Sequence, residues 1–381
     1  MSGKDESIFS KEALMGTQAG KEIIKQGLFK SKGFRQFNQY KEKTEQEFGP
    51  FAKRFTSSLH AAIQSDSSPA LTMEKFASEV GSQELVPDAG ALQDIKARLS
   101  STDVLQDRVA RILNSNFVKM TFPVFNALYD GAAEYFGDKP QQQQDQEKRE
   151  AVIDGHIIAI DLSEPMDRIV DRDEDLDYLE DYKFMCPYIL DIARLKIAQG
   201  GDSVLKAFEE GFRDARVGQY IDVKLKMRPS SINDENMGDC YKKYRAVMGT
   251  AGRNMALNRR PLADIFHLGM AKAGEGVGCG NEIEDAIKNG AIKIPSWPLY
   301  YSLNTGDARR GFELTMQKSE LYLKEAELAL EMLPEKFTLR PFLEFLFLTV
   351  RHYNQYWYNE LNRRAPFADY YSKMEAAVNR Q

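Results

Sequence analysis

Two stretches of this sequence carry residue types that could do chemistry, and they are opposite in sign. From Asp239 to Met270, DCYKKYRAVMGTAGRNMALNRRPLADIFHLGM gathers Lys242, Lys243, Arg245, Arg253, Arg259 and Arg260, with Tyr241, Tyr244, Asn254 and Asn258 interleaved. No acidic residue interrupts the run between Asp239 and Asp264. Cations neutralise phosphates, tyrosine faces stack on bases, and amides bond sugar or base edges. Such a stretch could line a groove for single-stranded nucleic acid. The competing reading is a solvated basic face, because Tyr241, Tyr244, Val247 and Met248 also fit one apolar helix stripe.

The second stretch, residues 161–181, reads DLSEPMDRIVDRDEDLDYLED. Asp173, Glu174 and Asp177 form an Asp-Glu-x-x-Asp pattern. Helix positions three and four apart share a face, so these carboxylates could hold magnesium and a diphosphate. A class I terpene synthase-like enzyme would use them in that way. A second downstream metal motif is missing: Asn233-Asp234-Glu235 starts like one but lacks the spaced Ser and Glu. The alternative is a solvated acidic face, or a dock for a basic partner or the next subunit. A third possibility is a helical interaction scaffold.

The basic stretch is similar to the central motif of nucleoproteins from non-segmented negative-strand RNA viruses (Mononegavirales), most visibly the paramyxovirus kind. Tyr241, Tyr244, Ala246, Met248 and Gly249 match its spaced aromatics and Ala-Met-Gly step, although Val247 intervenes and the usual Ser is absent. Leu257, Asn258, Arg260, Phe266, Leu268 and Gly269 resemble the Leu-Asn pair, arginine and Phe-x-Leu-Gly that follow. Ile192 to Tyr220 resembles the family's RNA-facing helices, with Lys196 before a turn and Arg216 before Val217, Gly218 and Tyr220. The 43.4 kDa size suits members without a long disordered tail, such as those of the fungal mymonaviruses.

The resemblance implies a protein that polymerises head to tail on single-stranded RNA, without sequence preference, as template for a viral polymerase or its cofactor. Lys196, Arg213 and Arg216 would serve from one lobe. Arg245, Arg253, Arg259 and Arg260 would serve from the other, with Tyr241 or Tyr244 against a base or sugar. Phe9, Leu14, Leu28 and Phe29, with Phe367, Tyr370 and Tyr371, would anchor terminal arms on neighbouring subunits. This reading implies no catalysis, metal or cofactor, and a location in the virion nucleocapsid and host cytoplasm.

The elements that must position these residues read as helices. Leu92, Ile95 and Leu99, then Val104, Leu105, Val109, Ile112 and Leu113, recur at three and four residues, and Ser101-Thr102-Asp103 starts a helix. Asp307 to Leu333 is amphipathic. AVIDGHIIAIDL, with β-branched residues around Asp154-Gly155, suggests a short β-hairpin after a polar loop at 138–149. His156 there stands alone and reads as structural. AGEGVGCGN, 273–281, reads as a flexible connection, and GAIKIPSWPLYY as an extended turn.

The expected fold is therefore mainly α: an arm at 1–35, helical lobes at 36–230 and 231–358 with an RNA-binding cleft between them, and an arm at 359–381. RPSSINDENMG, 228–238, is the expected hinge. Hydrophobic content of 43% supports a packed core, and net charge -6 permits a basic cleft only as a local exception. No stretch reaches the ~18 apolar residues of a membrane helix. The polar opening MSGKDESIFSKEAL is not expected to act as a secretory signal. Cys186, Cys240 and Cys279 are far apart and lack disulfide or metal-ligand spacing, so they read as free thiols in a reducing compartment.

Overall fold

Apolar residues at helical spacing fold into helices from end to end, and no strand occurs among the described residues. The computed structural model describes residues 8–27, 30–113, 116–138, 143–162, 165–166, 169, 176–288, 293–364 and 367–379. In chain order the helices are α1 (Lys11–Met15), α2 (Gln18–Lys25), α3 (Lys32–Ser65), α4 (Pro69–Val80), α5 (Leu92–Leu99), α6 (Thr102–Leu113), α7 (Asn116–Phe136), α8 (Gln143–Asp161) and α9 (Leu176–Ala198). Then follow α10 (Asp202–Met227), α11 (Asp234–Cys240), α12 (Lys242–Met255), α13 (Leu262–Lys288), α14 (Trp297–Thr305), α15 (Ala308–Glu331), α16 (Arg340–Arg364) and α17 (Phe367–Asn379). The chain forms two compact units, 39–206 and 1–38 with 207–381. This division falls inside α3 and α10, not at the expected hinge near 230.

In the unit 39–206, Phe51, Phe55, Leu59 and Ile63 repeat every four residues along α3 and are fully buried. The expected hairpin is the middle of α8, which is buried on every side from Ala151 to Ile158. A helix apolar all round has no amphipathic signature, so its β-branched run mimics strands. Gly155 makes no turn there. It admits α9, since a Cβ at that position would lie 2.7 Å from Ile197 Cγ1 and 3.0 Å from the Ala193 carbonyl. Fully buried Asp181 of α9 accepts from Arg98 Nη2 at 2.6 Å and Arg108 Nε at 2.8 Å, tying α5 and α6 down. His156 is buried, and burial drives its pKa down to about 3, which fits a structural role.

In the other unit the glycine-rich run is the interior of α13, not a flexible connection. Gly274 and Gly278 share one helix face, where added Cβ atoms would meet Met248 Cγ at 2.9 Å and the Tyr244 ring at 3.1 Å. Gly276 and Gly280 share another, against Leu323 at 3.1 Å and Asn354 Oδ1 at 1.9 Å. The run thus lets α12, α15 and α16 approach one helix closely. Trp297 opens α14 behind an N-cap, Ser296, whose hydroxyl accepts from the Leu299 N–H, so residues 297–301 of the expected extended turn are helical, while 293–296 are not.

The described terminal segments, expected to anchor on neighbouring subunits, pack on their own chain. Leu14 is buried with Ile23 against Phe345 of α16. His352 of α16 bonds Thr17 Oγ1 at 2.6 Å and the Ile8 carbonyl at 2.8 Å, and Phe9 lies 5.5 Å from its ring. Tyr370 of α17 is buried and donates to the Ala286 carbonyl at 2.7 Å, while Phe367 and Tyr371 pack on the same cluster as Phe312. Leu14, Phe367, Tyr370 and Tyr371 thus find apolar contacts within the chain, while Phe9 remains 53% exposed. Leu28 and Phe29 lie outside the described residues.

Candidate functional site

The basic stretch becomes α12, a tight turn and the start of α13. Leu257 and Asn258 make that turn in the left-handed region, at φ 50° and 57°. Many of the cations are engaged inside the protein. Arg245 Nε donates to buried Glu275 at 3.0 Å. Arg253 and Arg260 both reach Asp264, at 3.5 and 2.9 Å. Arg259 Nε donates to the Ala256 carbonyl at 3.4 Å. In the other unit Lys196 is bound to Asp154 at 3.2 Å. Arg213 is exposed on α10, and Arg216 is half-buried.

Tyr241 is 1% exposed, with Tyr244 and Trp297 5.1 and 5.7 Å away between ring centres. A ring packed in this way has no face left for a base, which corrects its expected stacking role. Tyr244 is half-buried and packs on Tyr241 in the same cluster.

A different constellation forms where α10, α12, α13 and the loop before α14 meet. Gln219 and Asp222, three apart on α10, both receive Lys243 Nζ: Gln219 Oε1 at 3.3 Å, and Asp222 Oδ2 in a closer ion pair. Asp222 Oδ1 is buried without a hydrogen-bond partner. Glu282 of α13 is buried and accepts from the Trp297 N–H at 3.1 Å. Burial pushes its carboxyl up to about 8, against the opposing pull of Tyr241, the Trp297 N–H, Lys293 and Lys243. Burial also raises Asp285, with Glu284 adding to the shift and Lys293 and Lys288 opposing it. Burial raises Cys240 to about 12 and Cys279 well above the usual thiol range, so both are packing thiols rather than nucleophiles.

Two lysines and three carboxylates with incomplete mutual compensation are thus drawn beside a dry aromatic wall. Such a place can hold an anion against the lysines and exchange a proton at Glu282 near neutral pH. Asp222, Glu282, Asp285 and Lys293 do not stand out in the sequence. Their one visible trace is the three-residue spacing of Gln219 with Asp222 and of Glu282 with Asp285.

Among the described residues, no group of three or more His, Cys, Asp or Glu side chains could hold a metal ion. The carboxylates of this constellation do not fit magnesium: Asp222 is committed to Lys243, and Glu282 keeps its proton up to about pH 8. Asp173 and Glu174 lie outside the described residues, and Asp177 falls in the first turn of α9. Asn233-Asp234-Glu235 is a helix start. The Asn233 side chain accepts from the Asn236 N–H at 3.0 Å, and the Asn236 side chain accepts in return at 2.8 Å. No helix among the described residues is long and apolar enough to cross a membrane.

No protein-family model matches this chain, and no curated protein matches it. Among solved structures, the chain is similar to a geranylgeranyl pyrophosphate synthetase from the archaeon Geoglobus acetivorans. The TM-score is 0.52 at 13% identity, over 75% of this chain and 99% of that chain. The likeness is one of fold. Against the expectation of a chain without catalytic work, the solved structure that shares this helical arrangement is that of an enzyme.

Proposed function

We propose that the protein is a magnesium-dependent enzyme acting on a prenyl diphosphate, of the class I terpene synthase-like kind. The observation that carries this reading is the shared helical arrangement, which spans almost the whole of the synthetase. Two features of the chain itself support it. One is the Asp173-Glu174-x-x-Asp177 pattern leading into α9. The other is the pair Lys243 and Lys293 beside buried Asp222, Glu282 and Asp285.

Magnesium suits the donor chemistry of Asp173, Glu174 and Asp177, three hard carboxylates within five positions, and when bound it offsets the charge of a diphosphate. Separately from that motif, Lys293 offers an ammonium group to a phosphate oxygen. Departure of the diphosphate takes the electron pair of the C–O bond and leaves an allylic cation. The packed rings of Tyr241, Tyr244 and Trp297 keep water from the flank of the lysine–carboxylate group. Glu282, protonated up to about pH 8, can give or take a proton at its carboxyl.

The test is incubation with magnesium and prenyl diphosphates of several chain lengths, read by released pyrophosphate and product chromatography. Turnover of at least one substrate is expected. Asp173→Asn with Asp177→Asn should lower it by about 10²-fold or more. Absence of turnover with every substrate, in folded protein and with magnesium in excess, would overturn the reading.

A further inference from the structure

Residues 8–25 lie along α16 with little of their own to hold them. They form two short helices, α1 of five residues and α2 of eight, below the length at which a helix persists alone. Their buried apolar side chains are Leu14, Ala19 and Ile23. Gly27, in the left-handed region at φ 69°, follows α2.

Side chains along one line of α16 grip this segment. His352, Gln355 and Asn359 are three and four positions apart, so they share a helix face. The Gln355 side-chain oxygen accepts from the Ala19 N–H at 3.0 Å, and the Asn359 side-chain amide donates to the Gly16 carbonyl at 2.9 Å. Buried His352 makes two bonds of opposite sense. Its Nε2–H donates to the Ile8 carbonyl at 2.8 Å, and its Nδ1 accepts from the Thr17 hydroxyl at 2.6 Å. The same hydroxyl oxygen caps α2 by accepting from the Gly20 N–H at 2.8 Å.

This arrangement requires a neutral imidazole. A carbonyl can only accept, so the one ring proton is on Nε2 and Nδ1 must accept. A second proton on Nδ1 would face the Thr17 hydroxyl proton. That hydroxyl would have to turn away, and because Thr17 is buried its proton would lose its acceptor. The charge would also lack a partner, since no carboxylate of the described residues bonds the ring. On the elements around it, Lys11, Glu12, Lys21, Lys32, Arg35 and Glu344 are exposed. Glu22 pairs with Lys25, and Arg351 is taken up by Glu320 and Glu327 of α15. Burial accordingly holds the imidazole below its usual 6.5, against the opposing pull of the Ile8 carbonyl. A base that binds its proton less tightly folded than unfolded contributes fully above about pH 6.5 and loses that contribution as pH falls.

We propose that His352 is an acid-sensitive latch, whose protonation frees residues 8–25 from α16 while the rest of the chain stays folded. Release uncovers the seat of Leu14 and Ile23, an apolar patch of Phe34, Phe37, Phe345 and Leu348.

The test is hydrogen exchange of the full chain from about pH 7 down to about pH 4, corrected for the intrinsic effect of pH, beside an NMR titration of the imidazoles. The sequence holds four histidines, so the signal absent from His352→Gln assigns that residue. Protection of residues 18–25 should fall by about tenfold while α13 and α15 keep theirs. The His352 signal should titrate within the pH range of that fall. His352→Gln retains a donor and an acceptor but cannot titrate, so its protection at 18–25 should not change with pH. His352→Lys, charged throughout, should show the low protection already at neutral pH and bind the apolar dye ANS. Wild-type protection at 18–25 that holds over the whole range overturns the latch. So does a fall that persists in His352→Gln, or a His352 signal that titrates outside the range of the fall.

Discussion

The two units differ in how fully some of their buried charge is compensated, although buried Glu275 and Glu360 of the second unit also meet cations. In the unit 39–206, buried carboxylates are met by cations at bonding distance. Asp181 has Arg98 and Arg108, Asp154 has Arg54 and Lys196, and buried Arg149 reaches half-buried Asp130 at 2.6 Å and also donates to Asn126. In the other unit, glycines draw helices together around aromatic rings, and charge is left only partly compensated at Glu282, Asp285 and Asp222. Satisfied pairs rigidify a scaffold. Unsatisfied ones cost stability and persist where chemistry uses them.

Several substitutions can break or sharpen that contrast. Asp181→Ala leaves two arginines facing a buried void and should destabilise the protein by about 3–5 kcal/mol, read by denaturant unfolding. A loss under about 1 kcal/mol would remove the framework role from that pair. Next in size is the pH response of Glu282. Its carboxyl binds a proton more tightly folded than unfolded, so its contribution is full below about pH 4.5 and is lost as pH rises through about 8. Glu282→Gln, which can still accept from the Trp297 N–H, should cancel a fall on the order of 2 kcal/mol between pH 6 and 8. Parallel stability curves for the two proteins would show that Glu282 is compensated after all.

Gly280→Ala should cost about 1–3 kcal/mol. Its Cβ would run into Asn354, whose amide is pinned by the Gly276 carbonyl at 2.9 Å and Ser319 Oγ at 2.7 Å. Smallest of all should be Arg259→Ala with Arg260→Ala, at the exposed turn, which should stay within about 0.5 kcal/mol and leave turnover unchanged. A tenfold loss of turnover there would return the basic stretch to the functional site.

Local physics made part of this legible in the sequence. The periodic runs at 102–113 and 307–333 gave α6 and α15, the second helix ending at Glu331 rather than Leu333, because one face of each helix meets water. α8 was not legible, since a helix buried on all sides has no polar face to set a period. The glycine-rich run in α13 looked like a loop because glycine's other use, close helix approach, depends on neighbours far away in sequence. The basic stretch looked like a nucleic-acid surface for a similar reason. Arg245 and its Glu275 are 30 positions apart, and Lys196 and its Asp154 are 42 apart, beyond any local window. The lysine–carboxylate group was invisible because its members come from three helices and a loop, none of which carries a motif by itself.

The claim that this group holds a diphosphate is tested most directly by calorimetric titration of inorganic diphosphate with magnesium into the wild type and Lys293→Met. Lys293 sits on the loop before α14, so the substitution leaves the helix core in place. The account predicts binding by the wild type and an affinity about tenfold weaker in the variant, the equivalent of roughly 1.4 kcal/mol from one lost charged contact. Equal affinities in the two proteins, or no heat of binding in the wild type, would contradict it.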